Sequence, residues 1–155
     1  MTDPGNASKL VLVTGASGGV GAEAAKHLAG CGYPVGVGYC RNEAAAQEVV
    51  DDIRDRNGSA LAVELDYASR DSIRGALTTL EKYFEKPVSV LINNGAIAQE
   101  KPFETITDDD WAHMQSINLQ GPFAASQEVL PAMRSRGWGR IINITSIGGQ
   151  WGGLN

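Results

Sequence analysis

Residues 10–21 read Leu10-Val11-Leu12-Val13-Thr14-Gly15-Ala16-Ser17-Gly18-Gly19-Val20-Gly21. The first four are a continuous β-favouring apolar run, the pattern of a strand buried on both faces. Four glycines follow within the next eight positions, and the small residues Ala22 to Ala29 then read as a helix. Strand, glycine turn and helix in that order open a βαβ unit, and a series of such units builds a parallel sheet.

The rest of the chain repeats the alternation. Val35 to Tyr39 reads as a second strand. Glu43 to Asn57 reads as a helix with Ala46, Val49, Val50 and Ile53 on one face, stopped at Asn57-Gly58. Leu61 to Leu65 is a third strand. Ser69 can cap a helix whose inner face is Ile73, Leu77, Leu80 and Phe84, with Pro87 as its breaker. Val88 to Ile92 is a fourth strand. Thr107 followed by Asp108, Asp109 and Asp110 marks a helix start, with a capping hydroxyl and three acids in the positive first turn. Helical pattern continues from Trp111 to about Arg136 with Pro122 in its middle, and Gly137 and Gly139 end it. Trp111, Met114, Leu119, Phe123, Leu130 and Met133 read as core or subunit contact. Ile141 to Thr145 is a fifth strand, and Ser146 to Asn155 a glycine-rich loop. The expected fold is α/β: a Rossmann-type, doubly wound parallel sheet of about five strands, order 3-2-1-4-5, in one domain over residues 1–155.

Composition narrows the function classes. The net charge is −5 with no segment clustering Lys and Arg, which argues against a nucleic-acid footprint. No apolar run approaches the ~18–20 residues of a membrane span, and the polar N-terminus has no signal-peptide core. The expectation is a cytoplasmic protein with neither membrane nor nucleic acid as partner. Two cysteines, Cys31 and Cys40, give neither a disulfide framework nor a metal quartet. His27 and His113 lack partner acids at ligand spacing, so no metal is expected. Glycine is in excess, 19 of 155 residues, against a usual ~7%.

The glycine loop concentrates that excess at a strand-to-helix junction. Glycines there permit a tight turn and close backbone approach to a pyrophosphate at the helix N-terminus. A P-loop is excluded, because no Gly-Lys-Ser/Thr follows. The spacing fits T-G-x-x-x-G-x-G and T-G-x-x-G-x-x-G equally.

Five motifs in order along the chain resemble the short-chain dehydrogenases/reductases. They are TGASGGVG at 14–21, Asp66 after strand three, Asn93-Asn94-Gly95-Ala96 after strand four, Asn118 in INLQGPF, and Ser146 after RIINIT. Asn93-Asn94 and INLQGPF are similar to the classical subtype. The phrase from Lys101-Pro102-Phe103 through Arg140-Ile141-Ile142-Asn143 is most similar to the 3-oxoacyl-carrier-protein reductase branch.

The resemblance implies site roles. Gly15, Ser17, Gly19, Val20 and Gly21 would cradle the cofactor diphosphate and its ribose. Asp66 would accept from the adenine amino group, against its plain reading as a turn or cap residue. Asn93 would tie neighbouring strands, and the backbone at Gly95 and Ala96 would lie along the cofactor. The family pattern is Asn-Asn-Ala-Gly, and this chain transposes the last two. Strand two ends in Tyr39-Cys40-Arg41 without the acid that binds a ribose 2′-hydroxyl. Arg41 can pair a 2′-phosphate bidentately, so NADP(H) is expected ahead of NAD(H); the alternative for Arg41 is a solvated loop charge.

Two catalytic positions are implied. Ser146 would hydrogen-bond the substrate carbonyl. Asn118 precedes Pro122 by four, so its carbonyl loses the usual helical donor. A water is the natural replacement, and the family is known for a water at this main chain in a proton relay. The family's Tyr-x-x-x-Lys pair falls past Asn155. Tyr33, Tyr39, Tyr67 and Tyr83 belong to earlier elements. Two expectations follow. One is an NADPH-dependent carbonyl or 3-oxoacyl reductase that continues beyond Asn155 into further strands and a lid. It would act on a small carbonyl or acyl-thioester substrate and form a homo-oligomer. The other is a dinucleotide-binding module without turnover. Gln150 and Trp151 are expected along the substrate pocket.

Overall fold

The computed structural model describes residues 5–148. Gln150 and Trp151 lie outside the described residues. Five strands form one sheet: β1 (Leu10–Val13), β2 (Val35–Tyr39), β3 (Ala60–Glu64), β4 (Val88–Asn93) and β5 (Arg140–Asn143). Their order is β3-β2-β1-β4-β5, and every neighbouring pair is parallel. The helices are α1 (Gly19–Gly30), α2 (Glu43–Asp55), α3 (Arg70–Phe84), α4 (Asp108–Gln115) and α5 (Gly121–Ser135). No helix among the described residues is long and apolar enough to cross a membrane.

Strand side chains alternate between the two faces. Leu10 and Leu12 pack with Ile73, Leu77, Leu80, Val129 and Met133 from α3 and α5. Val11 and Val13 pack with Ala25, Val49, Val50 and Ile53 from α1 and α2. All four β1 residues are fully buried, as a central strand between two helical layers must be. The chain winds outward from β1 to β3, then returns past β1 to β4. Right-handed crossovers place α1 and α2 on one face and α3 and α5 on the other. The winding reverses between β1 and β4, so their connecting loops part and leave a crevice.

Side-chain caps start three helices, two of them, at Ser69 and Thr107, as the sequence predicts. Asn42 Oδ1 accepts from the Ala45 N–H, Ser69 Oγ from Ser72, and Thr107 Oγ1 from Asp110. α2 stops at Asp55, two residues short of the expected end, because Asn57 already turns into the left-handed region at φ 61°. The single helix expected from Trp111 to Arg136 is instead three pieces, with a π-helical turn over Ser116–Gln120 between α4 and α5. Pro122 has no N–H, so it can serve neither the Asn118 carbonyl nor the Ile117 carbonyl. The register slips, and the Gly121 N–H donates to the Ser116 carbonyl five residues back. Pro122 then sits in the first turn of α5, where its missing N–H costs nothing. Of the expected core or contact residues, Met133 is buried, whereas Trp111, Leu119 and Phe123 are 65%, 66% and 59% exposed. Those three form an apolar surface and contribute nothing to the core. β5 pairs only with β4 among the described residues, and its Ile142 is exposed.

Asp110 fastens the segment after β4 onto α4. Lys101 Nζ lies 2.8 and 2.6 Å from its two oxygens, and Gln99 Nε2 donates at 2.9 Å. The Thr107 N–H closes a capping box on the same carboxylate at 3.0 Å. The Lys101 ammonium first, then the Thr107 and Gln99 donors, hold the Asp110 carboxyl well below the usual carboxylate range. A depressed folded pKa contributes stability above the unfolded value of about 3.9 and loses it as the pH falls through the folded value. Asp110→Asn is therefore expected to destabilise at pH 7. Denaturant unfolding should show the gap to the wild type closing as the pH falls from about 4.

Candidate active site

The crevice between β1 and β4 is a cleft of about 660 Å³. Loops after four strands line it: Gly15 and Ser17 after β1, Arg41 after β2, Asp66 and Tyr67 after β3, Gly95 and Ala96 after β4. Sequence-predicted residues from four separate segments are thus gathered at one sheet edge.

Close backbone approach is observed directly at the glycine loop. Gly15 has φ 60°, and a Cβ there would lie 2.6 Å from Gly95 Cα. The loops after β1 and β4 are in main-chain contact, with no room for a side chain. Gly21 is equally confined, because a Cβ would meet the Gly15 carbonyl and the Asn94 amide at 2.5 Å. Gly19 and Val20 open α1, with Val20 67% exposed. α1 has no side-chain cap and no acid in its first turn. α2, α3 and α4 have both. The first N–H groups of α1 and the positive end of its dipole are left facing the loop, without the side chains that usually satisfy them.

Beneath the cleft runs a buried polar network. Thr14, Asn93 and Tyr67 are 1%, 3% and 7% exposed. The Tyr67 hydroxyl donates to Asn93 Oδ1 at 2.6 Å and lies 2.7 Å from Thr14 Oγ1. Thr14 Oγ1 accepts from the Asn94 and Gly95 N–H groups, both at 3.0 Å. Asn94 Nδ2 reaches the carbonyls of Thr14 and Gly15 at 3.0 and 3.1 Å. Asn93 Nδ2 donates to Asn143 Oδ1 on β5 at 2.8 Å. Asn93 thus ties β4 to β5 from below the cleft floor. Thr14 and Asn94 stand in the sequence motifs without an assigned role, and Tyr67 stands outside them. Thr14 directly precedes the first loop glycine, which was the available signal; nothing local distinguishes Tyr67. Burial pushes the Tyr67 phenol well above its ordinary range, so it keeps its proton.

The remaining predicted residues take distinct places. Asp66 is half-buried on the cleft wall, and one of its oxygens accepts from the Ala68 N–H at 2.9 Å. Arg41 is exposed beside the Asn42 cap. Asn118 sits in the π turn and pairs with the Ile97 backbone in both directions: Oδ1 accepts from the N–H at 2.9 Å and Nδ2 donates to the carbonyl at 2.8 Å. This pairing joins the π turn to the segment after β4. Ser146 follows β5, is exposed, and its Oγ accepts from the Gly148 N–H at 3.1 Å. It lies at the same carboxyl edge of the sheet but does not line the cleft.

Comparison with known proteins agrees with this architecture. A family model described as short chain dehydrogenase matches residues 9–155. A 3-oxoacyl-[acyl-carrier-protein] reductase of Synechocystis sp. is 36% identical over 146 residues, covering 94% of this chain and 58% of the relative. A 3-oxoacyl-[acyl-carrier-protein] reductase FabG of Staphylococcus epidermidis is 34% identical, covering 94% and 59%. An acetoacetyl-CoA reductase of Paracoccus denitrificans is 33% identical, covering 92% and 57%. The chain therefore spans somewhat under three-fifths of the length of these relatives. With its parallel sheet, glycine loop and matching family model, the chain belongs to the short-chain dehydrogenase family.

Proposed function

We propose that this chain holds a nicotinamide dinucleotide, NADP(H) ahead of NAD(H), for reduction of a carbonyl or 3-oxoacyl thioester. The observation that carries this reading is the N-terminus of α1. It is uncapped, acid-free and met by a glycine loop in main-chain contact with Gly95. Those open N–H groups suit a diphosphate. Gly15, Ser17, Gly19, Val20 and Gly21 would surround it. Asp66 would take the adenine amino group, while Gly95 and Ala96 would flank the dinucleotide. Arg41 would pair a ribose 2′-phosphate.

The bound dinucleotide supplies hydride. Ser146 Oγ already accepts from Gly148, so its proton is available to the substrate oxygen as charge develops there. The Asn118 carbonyl, denied a proton by Pro122, takes a water as one station of a proton relay. Tyr67 is not the proton donor, because its proton is committed to Asn93. That task is assigned to a Tyr–Lys pair absent from these 155 residues. The names of the relatives favour a 3-oxoacyl thioester substrate. Trp111, Leu119 and Phe123 give the α4–α5 face an apolar surface suited to a second copy of the chain. A binding module without turnover is the second reading, favoured by the position of Ser146 outside the cleft lining.

Gly18→Asp tests the site directly. Gly18 is the N-cap of α1, has extended backbone at φ −177°, and has open space where a Cβ would go. An Asp cap is expected to stabilise the fold by a few tenths of a kcal/mol, roughly the Gly-to-Asp cap difference. It should weaken NADPH binding by about tenfold or more through repulsion of the diphosphate. Unchanged NADPH affinity would overturn the reading. Arg41→Ala should lower the preference for NADPH over NADH by about tenfold, read as the ratio of the two dissociation constants. Ser146→Ala, in a protein that also carries the Tyr–Lys pair, should lower kcat on an acetoacetyl thioester by roughly 10²–10³. With that pair present, NADPH binding without oxidation by that substrate selects the binding module.

A further inference from the structure

The proposed function assigns no task to Tyr67, although it lines the cleft and its hydroxyl is buried. We propose that Tyr67 is a positioning residue of the dinucleotide site: its hydroxyl sets how the loop after β1 meets the loop after β4. This inference rests on the dinucleotide reading above.

The number of hydroxyl protons fixes the direction of each bond. A tyrosine hydroxyl has one to donate, and that of Tyr67 goes to Asn93 Oδ1 at 2.6 Å. At 2.7 Å from the same oxygen, Thr14 Oγ1 must then be the donor. With its single proton placed on Tyr67, Thr14 has its lone pairs left for the Asn94 and Gly95 N–H groups, both at 3.0 Å. The directed chain runs from those two amides through Thr14 and Tyr67 to Asn93. Among the described residues no buried side-chain polar atom lacks a partner.

Removing the Tyr67 hydroxyl breaks this chain in a defined way. The Thr14 proton can turn only to the Ile92 carbonyl, 3.3 Å away. Its lone pairs then rotate off the amides of Asn94 and Gly95. Those amides carry the main chain that touches Gly15, so the cofactor loop loses its support. Asn93 Oδ1 also loses its donor.

The space around the ring supports the same assignment. A Cβ at Gly121 would lie 2.3 Å from Tyr67 Cβ, and one at Gly95 would lie 3.3 Å from Tyr67 Cε2. The ring therefore lies between two backbones that lack side chains. A methyl at Gly95 would press on the ring.

NADPH titration of the intact protein, read by calorimetry beside a thermal melt, tests this. Tyr67→Phe keeps the ring and should raise the dissociation constant about tenfold or more. A purely structural role would lower the melting midpoint and leave the dissociation constant within about twofold, and that result overturns the proposal. If Tyr67→Phe does not fold, Thr14→Ser and Thr14→Val carry the test. Serine keeps the hydroxyl and should keep affinity, while valine should lose about tenfold; equal affinities overturn the proposal. A wild type that binds neither NADPH nor NADH overturns the dinucleotide reading and this inference with it. A wild type that binds while Tyr67→Phe binds equally well removes this inference alone.

Discussion

The Thr14 hydroxyl is the contact on which the candidate site depends. It directly follows β1, is almost fully buried, and accepts from two successive amides of the loop after β4. Two loops that belong to non-consecutive strands are thereby held in main-chain contact. A hydroxyl can do this only if its own proton is placed elsewhere. Tyr67 takes that proton, and Asn93 takes the next. The polar chain continues across to Asn143 on β5. Buried networks of this kind are stabilising when every member is satisfied and costly when one is not. Here no buried side-chain polar atom among the described residues lacks a partner.

The helix termini divide the same way. α2, α3 and α4 are capped by their own side chains and carry acids in the first turn. α1 has neither. Its N-terminus gives up that local stabilisation, and the sheet compensates by burying β1 completely on both faces. The break between α4 and α5 follows the same logic. Pro122 withholds an N–H, the chain answers with a π turn, and Asn118 is brought to pair with Ile97 at the cleft wall.

Much of the fold was legible in the residues. The apolar run of β1, the i, i+3, i+4 face of α2 and the capping side chains at Ser69 and Thr107 are local signals. Each was read correctly, because each depends on neighbours within one turn or one strand. The long helix was misread for a local reason also. Pro122 signals a break, but whether the chain kinks or slips into a π turn depends on what the freed groups meet. Trp111, Leu119 and Phe123 have core-like chemistry, yet they face outward. Periodicity reports that a face is apolar, not what covers it.

The sequence alone determined the parallel alternation, the glycine loop at the end of β1 and the family motifs, since these are properties of short segments and their order. Tertiary structure alone decided which of those segments touch. Gly15 meets Gly95 across 80 residues of chain, and Tyr67 meets Thr14 and Asn93 from a third strand. No local pattern in Asp66-Tyr67 marks that tyrosine. Its role arises because the reversal of winding between β1 and β4 brings three strand ends to one place, where a single buried hydroxyl proton has only one good acceptor.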